Sequence, residues 1–398
     1  MKKFLIIITI VITMTLSDGY GQNRSIQFTD KPWSEIVAQA RKENRLIFLD
    51  AYASWCGPCK WMAANIFTND TVADFFNKTF ICSSIDMEKG EGLTLRKQYE
   101  VRAYPTLLFI DGEGNMVHKK VGADRNAMDY INMGKTALDP GENLSACMKK
   151  YRSGSYGQDF IPKYLYRLAD AYMPVQDVLK QYFSTQTENE LYEPVNWNII
   201  KRYVIDMDSP EFIFLVKNRK EFSKRYTEDS VDTKISNVYA DVMMKMIRDI
   251  RMTDSIYNAM KEKIRVSGYE GAEKVFFYSD MYLFQFRGET QKFLELTYEK
   301  LLKYYGDDYN MLNNIAWSVQ EMTSDKKYLE RALTWAKRSV DLKSEPFNND
   351  TVAMILLKMG KKEDAIRYEK EALRLAKEKH QPVREYEESL KNMMQPEN

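Results

Sequence analysis

The sequence predicts two architectures in series: a mixed sheet flanked by helices, then an all-α domain of helical repeats. Three observations carry this. Between Gln27 and Thr136, short continuous apolar runs such as Leu46 to Leu49 and TLLFI alternate with stretches of helical spacing. Asp139-Pro140-Gly141 then punctuates the chain. Beyond it strand signals fade, and stretches rich in Leu, Tyr, Lys and Glu recur at helical spacing to the C-terminus. At 398 residues the chain has room for two or three hydrophobic cores and needs no disulfide staples, which leaves its four cysteines available for chemistry.

The elements follow in order. Thr29-Asp30-Lys31-Pro32 reads as a helix start leading into WSEIVAQARKEN. Leu46 to Leu49 is apolar throughout, as a central strand covered on both faces requires. A helix is expected after Gly57-Pro58, a second over VADFFNK, and a strand over TFICSSIDM. LTLRKQYE reads as a short helix and TLLFI as a strand, which Asp111-Gly112-Glu113-Gly114 turns into NMVHKKV as a hairpin. A last helix is expected through AMDYINMGKTA.

The opening MKKFLIIITIVITMTLSDGYGQ has a charged start, an apolar stretch from Phe4 to Leu16 and a small-x-small pattern at Gly19 and Gly21. It reads as a signal peptide over 1–21 with Gln22 as the mature N-terminus, the alternative being an uncleaved anchor. The expectation is an exported protein, most readily of a bacterial periplasm or cell envelope, with no membrane span after signal cleavage. Lys plus Arg (58) and Asp plus Glu (57) nearly cancel, leaving +1, so no global field favours nucleic acid or a membrane surface as partner.

The expected domains are an α/β domain over 22–138, an irregular helical region over 139–280, and helical repeats over 281–398. The best repeat is KMGKKEDAIRYEKEALRLA, with Gly360, Ala365 and Ala372 at the spacings of a helix-turn-helix unit and Ala353 seven residues ahead of Gly360. Ala316 and Ala332 hold comparable places upstream, with an apparent four-residue insertion in the turn, and Gly288 precedes Gly360 by 72 residues. The pattern resembles the tetratricopeptide repeat. The 26 tyrosines are expected to fill helix–helix seams, with a peptide-binding concave surface as the alternative.

The stretch FLDAYASWCGPCKWMAANIF places two cysteines three positions apart at a helix start, near enough for a small disulfide ring. Gly57 permits tight geometry, and Pro58 presets φ for the first turn without removing a needed hydrogen bond. Cys56 then faces unpaired backbone N–H groups and the positive end of the helix dipole. An interaction of up to ~2 kcal/mol there raises the thiolate share at neutral pH from a few per cent to about half. A zinc site lacks ligands at suitable spacing, since Cys82 and Cys147 are distant and the only histidines are His118 and His380. The pair is best read as a dithiol that cycles.

WCGPCK, Asp50 six residues ahead of Cys56, and YPTLLFIDGEGNMVHKKVGA further on resemble thioredoxin over about Gln27 to Thr136. The resemblance implies the thioredoxin fold, with Cys56 as attacking thiol and Cys59 as buried resolving thiol. It implies Pro105 as a cis-proline beside the disulfide and Asp50 as a buried acid–base group assisting Cys59. Substrate would meet Trp55, Gly57, Pro58 and the backbone of Tyr104. No metal and no cofactor is implied beyond a redox-active Cys56–Cys59 disulfide. An Asp in an apolar strand is desolvated, so its pKa should be raised into a range useful for proton transfer. In two departures from the family pattern, Ala64 stands where many thioredoxins have a helix-kinking Pro, and Tyr104 is bulkier than usual.

Cys82 is expected to be an inert buried thiol, Cys147 a free thiol or a partner for Cys82, and His118 a surface or half-buried imidazole. The resulting expectation is an exported thiol-disulfide oxidoreductase acting on protein disulfides, with an unidentified redox partner and a protein partner on the helical repeats. Oxidation or isomerisation is the near alternative. A binding scaffold with a regulatory or vestigial dithiol is the distant one.

Overall fold

The structure is a computed structural model that describes residues 24–157 and 159–395. The leader expected over 1–21 lies outside the described residues. The chain forms two compact units, divided between Glu190 and Leu191.

The first unit begins with α1 (Trp33–Glu43), β1 (Ile47–Tyr52), α2 (Gly57–Asn65), α3 (Asp70–Thr79) and β2 (Ile81–Asp86). It continues with α4 (Gly92–Gln98), β3 (Thr106–Ile110), β4 (Met116–Val121) and α5 (Ala127–Leu138), then adds α6 (Leu144–Ser153), α7 (Phe160–Asp170) and α8 (Gln176–Phe183). The sheet order is β2-β1-β3-β4, with β1 parallel to β2 and the other pairs antiparallel. Side chains alternate across β1 and β3, which divides the core in two. Ile47, Leu49, Leu108 and Ile110 pack with α1 and α4. Phe48, Leu107 and Phe109 pack with α2, α3 and α5, where Phe48, Phe76, Phe80 and Phe109 stack edge-on or tilted at 4.6 to 6.4 Å. By the same alternation Asp50 falls on the Phe48 face, which is the face carrying α2.

The half-buried or surface position expected for His118 is not what the structure has. His118 on β4 is 2% exposed, and its Nδ1 accepts the backbone N–H of Leu144 at the start of α6 at 3.3 Å. Two further ties join this part of the unit: Lys120 to Asp170 of α7 at 3.9 Å, and Lys163 to Glu142. Burial, and secondarily the charges of Arg167 and Lys120, lower the imidazole pKa to about 3. Cys147 is free and buried on α6, and Cys82 is free and buried on β2.

The second unit is helical. Its later part comprises the pairs Ala272–Arg287 with Thr290–Tyr305, Tyr309–Met322 with Lys326–Leu342, and Pro346–Lys358 with Lys362–Glu378. First members start every 37 residues and second members every 36. The 323–325 connection is as long as the 359–361 one, so the extra residues are spread over both repeats, not inserted in one turn. Gly288 and Gly360 turn the chain at φ +67° and +76°. Ala316, Ala332, Ala353, Ala365 and Ala372 are fully buried where the helices meet. Tyr239, Tyr257 and Tyr328 are buried, in keeping with tyrosines in helix seams.

Candidate redox site

The site lies where β1 ends and α2 begins. Cys56 is the N-cap of α2, and its Sγ accepts the N–H of Cys59 at 3.1 Å, a donor that a helix start leaves without an intrahelical partner. Pro58 occupies the first turn, where its missing N–H is no loss. Cys56 and Cys59 form a disulfide with Cα atoms 5.3 Å apart. Both lie just beneath the surface, at 3% and 5% exposure, so the first sulfur is less open than its role as attacking group suggests. Ala53, Tyr52 and Tyr104 pack around them.

The rim is exposed. Trp55 is 66% exposed, Gly57 and Pro58 are exposed, and the Trp55 ring meets Tyr104 edge-on at 5.8 Å. The Tyr104–Pro105 peptide bond is cis.

Beneath the rim, Asp50 on β1 is buried. Parallel pairing sets Ser84 opposite it, and the Ser84 hydroxyl donates to Oδ2 at 2.8 Å. Oδ1 has no hydrogen-bond partner. Burial raises the Asp50 pKa to about 7, with the Ser84 hydrogen bond opposing. A carboxyl in that state holds or releases a proton near neutrality.

The structure therefore brings Cys56, Cys59, Trp55, Gly57, Pro58 and Tyr104 together, with Pro105 joined to Tyr104 by the cis bond and Asp50 on the strand that leads into the site. Sequence reasoning missed a second layer. The indole N–H of Trp55 donates to Glu88 at 2.7 Å, Arg96 pairs with Glu88 at 3.8 Å, and the Arg96 guanidinium lies 5.8 Å from the centre of the Tyr104 ring. Glu88 and Arg96 thus link the two aromatic edges of the site. The available signal was the charged ending of SSIDMEK after an apolar strand, but no local pattern pairs it with a tryptophan 33 positions away.

Among the described residues no group of three or more His, Cys, Asp or Glu side chains is arranged to hold a metal ion. The family model described as Thioredoxin matches residues 24–132. Thioredoxin H4 of Arabidopsis thaliana is 36% identical over 97 residues, 24% of this chain and 76% of the relative. The chain belongs to the thioredoxin family. It is also similar to a thiol:disulfide interchange protein, DsbD of Yersinia pestis, at 32% identity over 83 residues, 21% of this chain and 14% of that protein. The solution structure of a candidate disulphide-isomerase of Bacteroides thetaiotaomicron is 38% identical, with 34% of this chain and 99% of that one covered and a TM-score of 0.26. Membership and the close cysteine pair make the chain a thiol-disulfide oxidoreductase whose active group is the disulfide, in a family that works without a cofactor.

Proposed function

We propose that the protein is an exported oxidoreductase that reduces or exchanges disulfides of protein substrates. The observation that carries this is the Cys56–Cys59 disulfide at the start of α2, directly under the exposed Trp55 and Pro58. In the reduced state the Cys56 thiolate attacks one sulfur of a substrate disulfide. The substrate S–S bond breaks, its second sulfur leaves as a thiolate, and a mixed disulfide forms. Cys59, deprotonated with Asp50 as acceptor, then attacks the Cys56 sulfur. The mixed disulfide breaks, the substrate leaves as a dithiol, and two electrons have passed to it from the Cys56–Cys59 pair. Trp55, Gly57, Pro58, Tyr104 and Pro105 form the surface that receives the substrate chain.

Reduction of insulin by the wild-type protein, and capture of a mixed disulfide by Cys59→Ser, test this reading. A wild-type protein without turnover and a variant that captures nothing favour a scaffold with a vestigial dithiol. Equilibration with glutathione separates a reductant from an oxidant or isomerase.

The apolar opening of the chain supports export to a periplasm or cell envelope, and no helix among the described residues is long and apolar enough to cross a membrane. We keep the division into 22–138, 139–280 and 281–398, the last as tetratricopeptide-like repeats. The recurring helix pairs and their buried alanines support that likeness. The helical part would recruit a polypeptide partner.

A further inference from the structure

In the second unit, residues of the helices Tyr309–Met322, Pro346–Lys358 and Arg384–Met394 line a cavity of about 510 Å³. Its walls carry the rings of Trp317, Phe347 and Tyr386, the carboxylates of Asp350 and Glu385, and the amide of Asn313, with no lysine or arginine among the lining residues. Asn313 is 7% exposed, yet its Oδ1 has no hydrogen-bond partner. Leaving a buried acceptor unsatisfied costs about 1–3 kcal/mol, and a donor arriving in the cavity would remove that cost.

Glu369, on the helix Lys362–Glu378, is fully buried beside the Asp350 carboxyl. Burial, then the neighbouring Asp350, raises its pKa to about 8. Asp350 is raised as well, by burial and by Glu385, while its contact with Glu369 opposes the rise. Both carboxyls are thus raised above the usual carboxylate range, and Asp350 is the one of the two that lines the cavity. Acceptors, the carboxyls of Asp350 and Glu385 and aromatic faces together suit a group that is all donor and positively charged.

We propose that this cavity receives a cationic side chain, lysine or arginine, of a polypeptide partner. Its N–H groups would meet Asn313 Oδ1 and Asp350, its charge would be balanced by Glu385, and its stem would lie on the aromatic rings. The proposal rests on the reading that the helical part recruits a polypeptide.

Calorimetric titration of the whole protein with pentalysine, pentaarginine and pentaglutamate at about 0.15 M salt tests it. The expected result is saturable one-to-one binding of one or both basic peptides, weakened about tenfold or more in Asp350→Asn and in Glu385→Gln, with no binding of pentaglutamate. Glu385 is exposed, so that variant keeps the fold even if the buried pair is sensitive to change. Absence of saturation, unchanged affinity in both variants, or equal binding of pentaglutamate overturns the proposal. Insulin reduction by the wild-type chain, measured alongside, reports separately on the thiol chemistry.

Discussion

Asp50 and His118 are buried titratable groups of the first unit, and burial moves them in opposite senses. Asp50 keeps its proton to about pH 7 against an ordinary 3.8, so its contribution is complete below about pH 4 and is lost as pH rises through about 7. His118 stays neutral down to about pH 3 against an ordinary 6.5, so its contribution is complete above about 6.5 and is lost as pH falls through about 3. Between about pH 4 and 6.5 the folded chain holds one proton more at one site and one fewer at the other, and the two slopes cancel. Asp50→Asn is therefore expected to lose stability on acidification relative to wild type, and His118→Gln to gain it, each by about 1.4 kcal/mol per pH unit. Urea unfolding at pH 4.5 and 6.5 measures this, and parallel profiles would exclude it. Asp50 was legible in the sequence because a lone carboxylate in LIFLDAY stands out chemically. Ser84 was not, because only the register of two strands sets it opposite Asp50. The burial of His118 was misread because it depends on a helix that begins 26 residues later.

At the scale of elements, each strand and helix of the α/β part appears where apolar runs and turn residues place it. Those signals are local, whereas sheet order and the choice of which helix covers which strand are set by contacts distant in sequence. The repeats show the same division. Gly360 and Ala353 were both readable as a turn and a close-packing position, but the even 36- to 37-residue spacing emerged only from the helix ends. Their costs differ in kind. A Cβ built on Gly360 meets nothing within 4 Å, so Gly360→Ala pays only for a left-handed backbone, about 1–2 kcal/mol. Ala353→Leu forces three carbons into a fully buried contact and is expected to cost about 1–3 kcal/mol by overpacking. Denaturant midpoints of the two variants test this. A leucine variant as stable as wild type would show that the helix pair has spare room.

On the scale of the whole molecule, the compact first unit holds the α/β part together with α6 and α7, which supply partners for β4 side chains. A fragment of residues 24–190 is expected to unfold cooperatively and to keep insulin reduction. A fragment ending at 138 strips His118 of its covering and is expected to lose about 2 kcal/mol or more. Circular dichroism melts of both fragments check this, and equal stability would deny α6 any part in the first unit. The two solitary cysteines set the stoichiometry of the molecule. Burial pushes the Cys82 thiol up to about 12 and raises that of Cys147 as well. After mild reduction a native-state thiol assay should count two groups per chain, and four once denaturant is added. Each molecule then carries a single pair of electrons, with no internal reserve to reshuffle into mispaired forms while it is exposed to oxidants.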